Sequence, residues 1–171
     1  MRETLIAHLA CPVCAGDVEL DAQYTEGDHV MRGSLTCGAC SREYPIVRGG
    51  PRMIPGQLPE DMQHTAANFG QSWKIWNKVE DDRYRWQFLR WLQPLQPANF
   101  KDQVVLDCGC GKGRHLRIVS GFEAKDVIGV DLSEAVDVAF HNTRHLPNVH
   151  VVQGDIYQMP VRGGFDLAYS I

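Results

Sequence analysis

The feature that most restricts this chain is the stretch Val104-Val105-Leu106-Asp107-Cys108-Gly109-Cys110-Gly111-Lys112-Gly113-Arg114. A short apolar run ends in an aspartate, three glycines alternate with other residues, and a helix-like run (Leu116, Ile118, Val119) follows. Such a stretch carries a buried parallel strand over a small ligand and into a helix. Glycine at 109, 111 and 113 allows tight or left-handed backbone and a close approach to the ligand, since no Cβ intervenes. Strand-like runs at 104–108, 127–131, 149–153 and 165–170 recur with helical intervals. That alternation predicts an α/β fold with a Rossmann-like parallel sheet of about four strands, right-handed crossovers and a ligand at the strands' carboxyl ends.

The placement of acid and glycines discriminates between ligands. A dinucleotide loop reads G-x-G-x-x-G and seats a pyrophosphate with no anion beside it. Here the order is D-x-G-x-G-x-G, and a carboxylate at the strand's end repels pyrophosphate and attracts a cationic amine. S-adenosylmethionine, with an α-ammonium, a sulfonium and no phosphate, suits it. Asp131 lies 24 residues after Asp107 and ends the second run, where it is placed to accept both ribose hydroxyls. A helix N-cap role is the alternative for Asp131, and Ser133 fits that role equally well. Gly154-Asp155 follows the third run, so Asp155 is placed to accept the adenine amino group while Ile156 packs on the ring. A lone Gly-Asp is usually only a turn. Three acids, each at the end of its own strand, point to one ligand. Cys108 and Cys110 read as small side chains beside the loop, and His115, His141 and His145 as solvent-facing. No general base is identified.

The N-terminal third carries a different chemistry. Cys11-Pro12-Val13-Cys14 and Cys37-Gly38-Ala39-Cys40 are two C-x-x-C pairs with 22 residues between them. Each pair can wrap a turn round a metal, and four thiolates favour a closed, structural zinc site. Residues 18–36 alternate, with polar turns at Glu26-Gly27-Asp28 and Arg32-Gly33, and predict two short antiparallel strands. A strand, glycine turn and strand are expected over 41–55. So small a module buries little apolar surface, and the metal supplies much of its folding free energy.

Two resemblances follow from these residues. The run Leu9-Ala10-Cys11-Pro12-Val13-Cys14, with Cys37, Cys40, Tyr44-Pro45-Ile46 and Met53, resembles the Trm112-like zinc-ribbon family over about residues 3–56, with Gly50 and Ile54 as mild departures. That family's members stabilise methyltransferases or are fused to them, which implies a scaffold or activator role. Residues 104–171 resemble class I S-adenosylmethionine-dependent methyltransferases (type 11-like). The carrying segments are Leu106 to Gly113, Asp131-Leu132, Gly154-Asp155 and Phe165-Asp166-Leu167-Ala168-Tyr169-Ser170. The resemblance implies cofactor contacts from Asp107, Gly109, Gly111, Gly113, Asp131, Leu132, Asp155 and Ile156, with methyl transfer to a small-molecule or lipid acceptor. Phe69-Gly70-Gln71-Ser72-Trp73 resembles a segment that helps cover the cofactor in such fusions.

The expected organisation is a β-rich zinc ribbon over 1–56, a helical connector over 57–103 and a cofactor-binding half-domain over 104–171. In the connector, Tyr84, Phe88, Trp91, Leu92 and Leu95 space as an amphipathic helix stopped by Pro94 and Pro97. Its aromatics are expected to fill the joint between ribbon and α/β part. A complete methyltransferase domain has more strands than the four visible, so a fragment is expected, with an open sheet edge that invites self-association. Two other readings stand beside the enzyme: an activator protein that docks a methyltransferase subunit, and an RNA methyltransferase. Against RNA weighs charge: residues 1–60 hold five Lys/Arg against eight Asp/Glu, and the chain's net charge is −4. Arg42, Arg48 and Arg52 read as a solvated face. No apolar run approaches the ~18 residues of a membrane span, and the N-terminus lacks a signal-peptide pattern. A cytoplasmic protein is expected.

Overall fold

The computed structural model describes residues 1–79 and 81–171. The front of the chain is an antiparallel sheet of four strands in sequential order. They are β1 (Val18–Glu26), β2 (His29–Cys37), β3 (Glu43–Val47) and β4 (Gly50–Pro51). Both strands of the first hairpin are nine residues long, and its turn is at Gly27-Asp28. Arg32-Gly33, expected as a turn, instead lies inside β2. A Cβ on Gly33 would stand 2.2 Å from the Asp21 carbonyl oxygen of β1. Glycine is there because β1 bulges toward it between Ala22 and Thr25.

Two helices follow, α1 (Glu60–Ile75) and α2 (Asp81–Trp91). The α/β part then runs β5 (Val104–Cys108), α3 (Arg114–Ser120), β6 (Asp126–Asp131), α4 (Ala135–Thr143), β7 (Val149–Gln153) and β8 (Leu167–Tyr169). Its four strands are parallel, in the order β7-β6-β5-β8. The fold is α/β and Rossmann-like, with the antiparallel unit in front, as expected. β6 begins one residue earlier than the alternation predicts, and β8 is only three residues long. None of the helices among the described residues is long and apolar enough to cross a membrane.

The connector aromatics do not fill the joint. α2 turns its apolar side to α3: Phe88 and Phe100 are wholly buried, and Phe88 lies against His115, Phe122 and Tyr169. α1 instead lies along α4 and over the strand tips. Ribbon and sheet meet directly. One apolar cluster takes Leu5, Leu9, Leu35, Ile46 and Met53 together with Leu106, Ile128, Val130 and Val152. Met53 N–H donates to the Gln153 carbonyl at 2.8 Å, Arg52 bridges in parallel to Gln153, and Ala10 N–H donates to Pro160 at 3.0 Å. The ribbon thereby covers the β7 edge. Arg48 and Arg52 both bond the Asp137 carboxylate of α4. Arg52 is therefore a half-buried clamp across the joint, which corrects its reading as part of a solvated face; Arg42 is exposed.

Because Phe88 holds α2 in its place, Phe88→Ala is expected to lower stability by ~3–5 kcal/mol, the usual cost of emptying a buried phenylalanine site. Urea denaturation of the metal-loaded protein measures it.

Candidate functional site

The loop after β5 is built on three left-handed glycines, with φ of 86°, 51° and 81° at Gly109, Gly111 and Gly113. Side chains rarely adopt such angles. β6 holds the loop down: Gly109 and Cys110 N–H groups both donate to the Val130 carbonyl, at 2.7 and 3.1 Å. The Gly111 N–H donates to Asp131 Oδ2 at 2.8 Å. The three glycines then divide their work. A Cβ on Gly109 would meet nothing, so that backbone faces open space. A Cβ on Gly111 would lie 3.1 Å from the Trp73 indole. A Cβ on Gly113 would lie 3.2 Å from Ala139 and Thr143, so this glycine serves the packing of α3 on α4 and not the ligand.

Over the strand tips lies a cavity of about 350 Å³. Gly109, Gly111, Asp131, Leu132, Asp155 and Ile156, all expected at the cofactor, line it from below, and Phe69 and Trp73 of α1 close it from above. Among the described residues its lining holds two carboxylates and no Lys, Arg or His. Asp131 is already committed: Oδ2 accepts from Gly111, and Oδ1 accepts from the Ser133 N–H at 2.8 Å and hydroxyl at 2.6 Å. Of a carboxylate's roughly four acceptor positions, about one is left for the cavity. The expected capture of both ribose hydroxyls thus needs one protein bond exchanged. Asp155 is mostly buried and accepts the Tyr157 N–H at 2.9 Å, so it both forms the turn and presents its other oxygen.

Asp107 lies elsewhere than the sequence suggested. It is wholly buried under the loop, does not line the cavity, and neither of its oxygens has a hydrogen-bond partner. Burial foremost, with the charge of Asp131, pushes its carboxyl up to about 7, against the pull of the neighbouring Tyr169 hydroxyl and Arg114. His115, expected in solvent, is 7% exposed and stacks on Phe88 at 4.9 Å. Burial, with Arg114 beside it, lowers its imidazole to about 4. A signal for this was available: His115, Ile118, Val119 and Phe122 fall on one helical face. His141 and His145 are exposed as expected. Tyr169, beside Asp107, had no such signal, since its neighbour is set only by the pairing of β5 with β8.

In the ribbon, the sulfurs of Cys11, Cys14, Cys37 and Cys40 all lie within 4.8 Å of one another. Cys11–Cys40 is 3.7 Å and Cys14–Cys37 is 3.5 Å, close to the ~3.8 Å edge of a tetrahedron with Zn–S bonds of about 2.3 Å. Backbone N–H groups of Val13 and Cys14 face the Cys11 sulfur, and those of Ala39 and Cys40 face the Cys37 sulfur. Two matching knuckles of this kind stabilise thiolates. The donor set fits a closed zinc site with no position for water. Cys108 and Cys110 lie by the glycine loop, outside this cluster.

Residues 105–171 match the methyltransferase domain family, and residues 2–49 match the Trm112p-like protein family. The tRNA U34 carboxymethyltransferase of Psychromonas ingrahamii is 34% identical over 93 residues, 52% of this chain and 28% of that protein. The enzyme of the same name from Vibrio cholerae is 36% identical over 93 residues, with the same shares. Less than a third of each relative's length is thus matched. The structure of protein arginine methyltransferase 10 from Arabidopsis thaliana superposes with a TM-score of 0.48 at 18% identity, covering 64% of this chain and 31% of that one.

Proposed function

We propose, from the match of residues 105–171 to the methyltransferase domain family and of residues 2–49 to the Trm112p-like family, that this chain is the donor-binding part of an S-adenosylmethionine-dependent transferase that acts on RNA and is braced by a structural zinc ribbon. The observation that carries the donor is the charge of the cavity. Two carboxylates and apolar surface, with no cation among the described lining residues, suit an adenosyl sulfonium and oppose a phosphate. Asp131 and Asp155 would hold the adenosyl group, Leu132 and Ile156 would flank the ring, and Trp73 and Phe69 would exclude water. The reaction is in-line displacement at the sulfonium carbon, and alignment of nucleophile, carbon and sulfur is the protein's share.

For the acceptor, the relatives' names favour tRNA over the small molecule or lipid expected from sequence. The ribbon supports a scaffold role in cis. Its contact surface is already taken up by β7 and α4 of its own chain, through Met53, Arg52 and Arg48, which argues against an activator awaiting another subunit.

Calorimetric titration with S-adenosylhomocysteine and with ADP tests the donor. Tighter binding of the thioether is expected, and Asp131→Ala should weaken it roughly 10- to 100-fold, the worth of a hydrogen bond to a charged group. Preference for ADP would overturn the donor. Filter binding of unmodified tRNA at two salt concentrations tests the acceptor, and no retention at low salt would overturn it.

A further inference from the structure

The chain's negative total conceals a cationic stretch. Residues 84–117 hold six Lys/Arg against two Asp/Glu, a net of +4 in a chain of −4, although Glu80, Asp81 and Asp82 come just before. One of the two acids, Asp107, is wholly buried. Elsewhere many cations are spent: Arg48, Arg52, Lys74, Arg144 and Arg162 each meet a carboxylate. Arg85 and Arg90, both exposed on α2, meet none among the described residues. They rest on rings instead, Arg85 on Phe122 at 4.7 Å and Arg90 on Trp86 at 5.3 Å.

The same helix leaves two tryptophans in water. Trp86 is 65% exposed and stands nearly opposite the buried Phe88, two residues on in a helix of ~3.6 residues per turn. Trp91 is half exposed, and at ~1.5 Å per residue it lies about 7.5 Å further along the axis. Its ring meets that of His115 edge-on at 6.5 Å. His115 is in the first turn of α3, directly behind the glycine loop that lines the donor cavity. The two indoles thus lead from the outer side of α2 toward the strand tips.

Unpaired guanidiniums beside open indole faces fit one class of partner. Phosphates take the charge, and unstacked bases take the π-faces, as in single-stranded nucleic acid; a duplex keeps its base faces stacked. We propose that the outer side of α2, through Arg85, Trp86, Arg90 and Trp91, is a docking surface for single-stranded RNA and leads an acceptor loop to the donor cavity. The inference rests on the RNA reading above. Its test measures binding of unmodified tRNA, an oligouridine and a blunt RNA duplex to the zinc-loaded chain. The tRNA and the oligouridine are expected to bind at least tenfold tighter than the duplex. Trp86→Ala and Trp91→Ala should each weaken both about 5- to 100-fold, the worth of one stacked base. Arg90→Gln should lower the slope of log affinity against log salt by about 0.7–0.9. Arg32→Gln, which removes an exposed cation from β2, should change neither quantity. Affinity for S-adenosylhomocysteine should hold its parent value in every variant, which shows that fold and cavity are intact. Parental tRNA binding in both tryptophan variants overturns the surface and leaves the RNA reading standing, as does equal binding of duplex and oligouridine. Tighter hold of phosphatidylglycerol vesicles than of oligouridine, lost in the same variants, assigns the face to a membrane and overturns it too. No retention of tRNA by the parent at low salt removes the RNA reading and the surface with it.

Discussion

Removing the metal is expected to unfold the ribbon and to loosen the α/β sheet behind it. A structural zinc contributes an apparent ~10–16 kcal/mol in small modules, as much as the whole stability of an ordinary domain, about 5–15 kcal/mol. The ribbon's core is not its own: Leu35, Ile46 and Met53 share a cluster with Leu106, Ile128, Val130 and Val152. Loss of the ribbon would therefore bare one face of β5, β6 and β7. Even a loss of ~5 kcal/mol would lower the melting temperature by roughly 10–20 °C for a chain of this size. Scanning calorimetry with and without a strong chelator measures this, and Cys37→Ser should reproduce it, because Cys37 is buried at the knuckle and its thiolate cannot be replaced by water. Replacing Cys108 or Cys110 by serine should leave the zinc content at one per chain. Hydrogen exchange locates the effect: amides of β6 and β7 should lose protection together with those of β2 and β3. Fast exchange confined to the ribbon would show that the two parts are energetically separate.

The contrast between what sequence reveals and what it conceals is physical. The two C-x-x-C pairs and the D-x-G-x-G-x-G loop are local: chemistry and backbone geometry act within a few residues, so spacing alone identifies the cysteine cluster and the strand-loop-helix turn. The order of acids at 107, 131 and 155 is equally legible, because each follows a strand-like run. What stays hidden depends on contacts between distant segments. Gly33 looks like a turn residue until the β1 bulge is seen against it. Gly113 looks like a ligand glycine until Ala139 and Thr143 are seen across from it. Arg52 looks solvated until Asp137 of α4 meets it. Of the aromatics of 69–100, Phe88 and Phe100 pack in the core beside α3 and Phe69 and Trp73 line the cavity over the strand tips, while Trp76, Trp86 and Trp91 are exposed, a division that no periodicity can choose.

Asp107→Asn is expected to stabilise the protein above neutral pH and to weaken the donor. The carboxyl moves from 3.8 to about 7 on folding, chiefly because it is buried. Between those values the unfolded chain has released the proton and the folded chain keeps it. The folded state therefore binds more protons, and stability falls as pH rises through the window. Above it the folded protein carries a buried, unpartnered carboxylate, at a cost of about 4 kcal/mol for a rise of that size. Asparagine has the same shape and no charge, so the variant should gain a few kcal/mol at pH 8, with the gain vanishing near pH 4. His115 and His150, both lowered to about 4 by burial, act with the opposite slope, since stability is lost as pH falls from 6.5. They are common to both proteins, so the difference between the two urea curves isolates Asp107. On the proposed donor reading, a cationic ligand would reverse this cost. An ammonium beside the loop draws the proton off Asp107, so parent affinity for S-adenosylhomocysteine should rise with pH through about 7, and proton release should accompany binding. The variant should bind about tenfold more weakly at pH 8, the scale of one attraction across several ångströms of protein, and show no such pH dependence. An Asp107→Asn variant no more stable than the parent at pH 8 would mean that water or a neighbour already neutralises the carboxylate; one that binds the thioether equally well would remove Asp107 from donor recognition.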